Sequence, residues 1–167
     1  MDIQLSDHTL RHAAQTGGAA GFLQAVTSAL QAEAGEEITA ETLQRFTTEQ
    51  LTLLAFAVLR REVGEGGFIQ LIHNGYGAFF FRNPVARVFR DWDVRPLYKL
   101  LQGVRPLYGR YHEELTRDMD DDEFMALYES HPAFDAYDDA FIDEEDAYVE
   151  AVAAYVDAHI DDFVRVV

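Results

Sequence analysis

The chain has 167 residues, 49% of them apolar, with 12 Phe, 8 Tyr and no Cys. That length suits one domain with a buried core, and the composition excludes a disordered chain, a disulfide framework and thiolate metal sites. Its 30 acids against 13 bases give a formal charge of −17, which excludes general affinity for nucleic acid or anionic membranes and favours cationic partners.

Asp2 and Asp7 near the start, with no apolar run of signal-peptide length, predict a soluble cytoplasmic protein, and no segment nears the roughly 18 apolar residues of a membrane span. Nearly every periodic segment predicts helix, so residues 1–167 read as a single compact all-α domain. Leu5–Ala14 forms a short helix capped by Ser6 or Asp7, and Gly17, Gly18 and Gly21 interrupt. Phe22, Val26, Ala29 and Leu30 mark the apolar face of the next helix, which Gly35 stops. Thr39 caps a short turn through Phe46. Thr47 and Gln50 form a capping box that opens a helix with Leu51, Leu54, Ala55, Val58 and Leu59 inward, ending near Val63 with Gly64 as its left-handed stop.

Between Gly66 and Gly77 the pattern predicts a tight turn, two helical turns and a second turn at Asn74-Gly75, with Gln70 and Asn74 satisfying backbone groups. Asn83-Pro84 opens a helix through Trp92. Asp93 caps the next, with Leu97, Leu100 and Leu101 inward and Gly103 as its stop. A further helix runs from Pro106 to Thr116. Asp118–Asp122 supplies N-cap candidates for a helix bearing Phe124, Leu127 and Tyr128, closed by His131-Pro132. From Phe134 to Phe163 the apolar residues keep helical spacing, which turns the acids between them outward.

Most motif-like sites fail on a required residue. Asp118, Asp120, Asp122 and Glu129 match positions one, three, five and twelve of a calcium loop, but Glu123 stands where that loop needs Gly. His112-Glu113 lacks the second His of a zinc hydrolase helix, because Thr116 occupies that position. His8 and His12 share an i, i+4 spacing on a segment that reads as surface. No phosphate-binding loop or nucleophile motif is present, which leaves a small carboxylate-based hydrolase or calcium module as a distant alternative.

The acids are not spread evenly. Glu113–Val167 holds 19 acids against two bases, which accounts for the full formal charge, while residues 1–112 balance at 11 of each. The candidate partner-binding residues are Asp118, Asp120, Asp121, Asp122, Glu123, Asp135, Asp138, Asp139, Asp143, Glu144, Glu145, Asp146, Glu150, Asp157, Asp161 and Asp162. Asp135–Asp162 carries 11 acids and no base over 28 residues. As helix that is one charge per about 4 Å, against 3.4 Å per phosphate along one DNA strand. Four acid pairs at i, i+4 (135/139, 139/143, 146/150 and 157/161) repel by about 0.2–0.5 kcal/mol each. Keeping that repulsion where lysines would relieve it suggests that the field is used.

Two sets of residues carry a family resemblance. The first is Glu62-Val63-x-x-Gly66-Gly67-Phe68-x-Gln70 followed by Asn74-x-x-Gly77. The second is Tyr137-Asp138-Asp139-x-Phe141 with Tyr155-Val156-x-x-His159-x-x-x-Phe163. In that order they resemble the bacterial DNA-mimic-protein family over about residues 47–163, with 1–46 as additional N-terminal helices. Gly64-Glu65 replaces the family's usual Asn before Gly-Gly, and Tyr137 replaces its Leu. The resemblance implies an all-helical, dimeric protein without a cofactor. It also implies structural roles for Gly66, Gly67, Phe68, Gln70, Asn74, Gly77 and Phe141. The family's named member uses surface carboxylates to imitate duplex phosphates and occupy a helix-turn-helix transcription factor. The functional expectation is thus a non-enzymatic binder of a basic, DNA-binding protein, a transcription regulator or nucleoid protein. The alternative is an immunity-type antagonist of a basic toxin or nuclease.

Overall fold

The computed structural model describes residues 1–167. The protein is all-α, with eight α-helices and one pair of two-residue strands. No helix is long and apolar enough to cross a membrane. The chain divides into two compact units, Met1–Val58 with Asp146–Val167, and Leu59–Glu145.

The first unit opens with strand β1 (Gln4–Leu5) and helix α1 (Asp7–Ala34). Ser6 caps α1 by accepting from the Thr9 N–H at 3.0 Å. The glycine interruption falls at Gly18, whose φ of +62° breaks the helix into two stretches in a region open to residues without a Cβ. Thr39 caps α2 (Ala40–Arg45) with a full capping box. Helix α3 (Thr48–His73) contributes Thr48–Val58 to this unit. Its box forms as expected, with the Gln50 N–H on Thr47 Oγ1 at 3.2 Å and the Thr47 N–H on Gln50 Oε1 at 3.1 Å.

Gln50 does more than close that box. Its buried amide nitrogen donates to the carbonyls of Met1 at 2.8 Å and Phe163 at 2.9 Å. The last part of helix α8 (Asp135–Ala158), a 3-10 turn at Ile160–Asp162 and strand β2 (Arg165–Val166) complete the unit. Strands β1 and β2 pair in parallel, Gln4 with Arg165 and Leu5 with Val166. Two residues per strand are too few for an alternating pattern, and this pairing was not expected from the sequence. Leu23, Val26, Leu30, Leu53, Phe56, Val152, Val156 and Phe163 form the unit's core.

The second unit takes α3 from Leu59 onward. Gly64 is not the stop. The helix runs through it and breaks at Gly66 (φ −149°) and Gly67 (φ +72°), restarting at Phe68. Helix α4 (Gly77–Phe81) follows the Asn74-Gly75 turn, where the sequence pattern showed only an aromatic run. Helix α5 (Val85–Asp91) begins with Pro84 at its cap, so Asn83 does not cap it. Asp93 does not cap the next helix either. It takes a left-handed φ of +63°, and Val94 occupies the cap position; Asp tolerates that conformation better than most residues.

Helix α6 (Arg95–Thr116) replaces two expected helices, passing through both Gly103 and Pro106. Its buried face of Leu97, Leu101, Val104, Tyr108 and Leu115 continues across both residues, and that burial outweighs the cost of an interior proline, about 3 kcal/mol. Gly103 serves close packing instead, since a Cβ there would press on the Tyr137 ring. Helix α7 (Asp121–Ser130) is capped by Asp120, as the acid cluster predicted, and His131-Pro132 ends it. Phe68, Leu71, Ile72, Phe80, Phe89, Leu97, Phe134 and Phe141 lie at the core of this unit.

Candidate partner-binding surface

The glycine motif and the acidic segment meet in the second unit. On a straight helix Gln70 and Asn74 would rise about 12 and 18 Å above Glu62, beyond side-chain reach. The break at Gly66-Gly67 turns the chain back. Gln70 Nε2 and Asn74 Nδ2 then donate to Glu62 Oε2 at 2.8 and 2.9 Å, and Arg61 donates to Oε1 at 3.3 Å. Glu62 is only 5% exposed, so these donors replace the water its charge has lost. Gln70 and Asn74 therefore serve a buried carboxylate, not the backbone groups expected of them. Burial works against the Arg61 charge, but hydrogen bonding and attraction from Glu62 and Tyr76 outweigh it and raise its pKa. Sequence reasoning assigned Glu62 no role, although its i+3 spacing from the buried Leu59 placed it on the inward face.

The break is stitched from two other helices. Tyr128 of α7 donates its hydroxyl to the Gly66 carbonyl at 2.7 Å. Asp138 of α8 accepts the Phe68 N–H at 2.8 Å, capping the restarted helix as a local Asp would. Any Cβ at Gly67 would overlap that carboxylate. Phe68 meets Phe141 edge-on, centroids 6.3 Å apart, and a side chain at Gly77 would collide with Tyr108.

Asp138 is thus turned inward, away from the other acids of the segment. Burial raises its pKa to about 6 against the Phe68 hydrogen bond, with Asp135 and Asp139 adding to the rise. Tyr128 is raised as well, first by burial and then by the Asp138 charge. Glu145 is also half-buried and pairs with Arg60 at 2.9 Å.

The remaining candidate acids are exposed, but they do different work. Asp120 Oδ1 accepts the Glu123 N–H at 2.8 Å. Asp121, Asp122 and Glu123 fill the first turn of α7, where carboxylates favour the positive end of the helix dipole. Glu123 also pairs with Arg117 at 2.9 Å. Helix from Asp121 onward leaves no loop for calcium at 118–129. Asp118 precedes that helix, and Asp161 and Asp162 lie in the 3-10 turn beyond α8.

Along α8, helical periodicity gathers Asp135, Asp139 and Asp143, and then Asp146, Glu150 and Asp157, within roughly 80° of the circumference at about 100° per residue. Glu144 points elsewhere. None of the six stripe acids takes part in an ion pair. Helix α8 ends at Ala158, so the expected 157/161 pair is not a helical pair and the other three remain. From Asp135 to Asp157 the rise is about 33 Å, or one stripe charge per about 7 Å. That is twice the 3.4 Å phosphate spacing of one DNA strand, a sparser line than the raw acid count suggested. Ile142, 54% exposed, borders the stripe.

Residues 44–159 match the family described as DMP19-like protein. The chain belongs to that family. A curated relative, the DNA mimic protein DMP19 of Neisseria meningitidis serogroup B (strain ATCC BAA-335 / MC58), is 35% identical over 102 residues. That match takes in 60% of this chain and 62% of the relative, somewhat less than two thirds of its length. Within this member of the DMP19-like family, Phe68 and Phe141 are buried, Gln70 and Asn74 donate to Glu62, the Gly66 carbonyl accepts from Tyr128, and a Cβ at Gly67 or Gly77 would meet a neighbouring side chain. The α8 stripe lies outside that set.

Proposed function

We propose that the protein is a DNA mimic whose α8 stripe occupies the basic, DNA-contacting surface of a transcription regulator or nucleoid protein. The observation that carries this reading is the stripe of six exposed carboxylates without a cation partner. Elsewhere the chain pairs several acids with arginine, among them Asp2, Asp7, Glu41 and Glu123. Along this line it leaves them to repel one another, which costs about 0.2–0.5 kcal/mol per helical pair. Lysine and arginine of a partner would turn that repulsion into charge-assisted hydrogen bonds, and the field would steer encounter. No bond is made or broken in this role. Ile142 gives the surface an apolar point that a phosphate line lacks, a means of preferring one basic protein over others.

The test is capture of binding proteins from the native host at low salt, followed by elution with duplex DNA. A DNA-binding protein released by the duplex, and not captured by a variant with all six stripe acids amidated, supports the proposal. A toxin or nuclease that duplex DNA cannot displace would replace it with the antagonist reading. A complex indifferent to salt between about 50 and 500 mM would sink both.

A further inference from the structure

The second unit also contains a region of the opposite sign. From Arg82 to Arg110 the chain has seven bases and two acids. Acids outnumber bases more than two to one in the whole chain, and most arginines have found one. Arg11, Arg45, Arg60, Arg61, Arg90, Arg95, Arg117 and Arg165 each pair with a carboxylate. Arg82, Arg87 and Arg105 do not, and all three line one open cavity of about 240 Å³ beside α4, α5 and α6. Phe80, Phe81, Pro84, Ala86 and Leu101 give it apolar walls, and Asn83 and Gln102 add neutral amides.

Arg82 is held in place without being neutralised. The His112 Nδ1–H donates to the Tyr108 carbonyl at 3.1 Å, which leaves Nε2 to accept from Arg82 Nη2 at 3.1 Å. The same guanidinium lies over the Tyr108 ring, 5.5 Å from its centroid. An imidazole and a ring face orient the cation and leave its charge available. A fixed guanidinium loses less freedom on binding an oxyanion than a mobile one.

We propose that this cavity binds a compact oxyanion of at least two charges, a phosphate ester or a small dicarboxylate. Arg82, Arg87 and Arg105 clasp the charge, and Pro84, Asn83 and Gln102 border it. The site is independent of the acidic stripe, so either assignment can fail alone.

Calorimetric titration of the full chain with pyrophosphate and, separately, succinate, at constant ionic strength, tests it. Saturable binding tighter than about 1 mM is expected for at least one, and the stronger of the two identifies the anion class. Amidating the α8 stripe should leave that affinity within about twofold. Arg87→Gln with Arg105→Gln, both exposed and free of ion pairs, should weaken it at least tenfold. Lys99→Gln removes a neighbouring charge outside the cavity and should change it by less than twofold. Binding that survives the double substitution, or heat that fails to saturate for either anion, overturns the proposal. So does binding of single-stranded DNA in the absence of any small-anion binding, which would make the region a polyanion track and not a pocket.

Discussion

Glu62 and the α8 stripe are built from the same functional group and put it to opposite uses. Glu62 is enclosed, and Arg61, Gln70 and Asn74 donate to it in place of water. The stripe acids keep their water and have no cation. A carboxylate that serves the fold is recognised by its donors, and one available to a partner by lacking them. Asp138 and Asp139 show the distinction between adjacent residues: one caps the restart of α3, the other is exposed.

The strongest way to break the comparison is at its inner end. Glu62→Ala should destabilise the protein by about 2–3 kcal/mol, because Arg61, Gln70 and Asn74 lose their common acceptor; chemical denaturation measures this. Amidating Asp135, Asp139, Asp143, Asp146, Glu150 and Asp157 together should instead raise stability slightly. The same variant should lose about 100-fold or more in partner affinity, about 2.7 kcal/mol, with a flatter salt dependence. A stripe variant that unfolds would erase the distinction between the two carboxylate classes. Gly67→Ala should cost about 1–3 kcal/mol through its positive φ and its overlap with Asp138, and Gly64→Ala, in ordinary helix with open space around it, should not.

Asp138 sharpens the contrast through pH. Its folded pKa of about 6 lies above the ordinary 3.8, so the folded state holds the proton more tightly. Stability from this group is complete below about pH 4 and is lost as pH rises to about 6. Asp138→Asn keeps an oxygen for the Phe68 N–H and removes the charge. It should gain about 1 kcal/mol at pH 7, after allowance for the group's partial exposure, and abolish that slope. The smallest effect is expected at Ile142→Ala, roughly fivefold in partner affinity, about 1 kcal/mol, with the salt dependence unchanged.

The helical class and most caps were legible because they are local. Ser6, Thr39, Thr47 with Gln50, and Asp120 each act within one turn of their own position. The family was legible because its glycines sit where the backbone has no alternative. Gly64 misled because three nearby glycines offer the same local freedom, and only packing from Tyr128 and Asp138 selects Gly66-Gly67 as the break. Gly103 and Pro106 misled for a related reason: a continuous buried face carries α6 through both. Asp138 lay hidden among acids, yet it stands four residues after Phe134 and three before Phe141, on their side of the helix. Reading phase before charge would have set it apart. The pocket arginines gave no motif, since their convergence depends on how α4, α5 and α6 pack.

The cap at Phe68 has a kinetic consequence. The carboxylate that accepts its N–H lies 70 residues further along the chain. As the polypeptide leaves the ribosome, the second half of α3 emerges with the Phe68 N–H bonded to water, and no carboxylate caps it until α8 has been made. Such a helix nucleates late, and its ordering waits on a contact of long sequence separation. Slowing at Asp138→Ala should therefore appear in the folding rate more than in the unfolding rate if α8 docks before the transition state. The two glycines that let the chain turn also set the order in which it can finish.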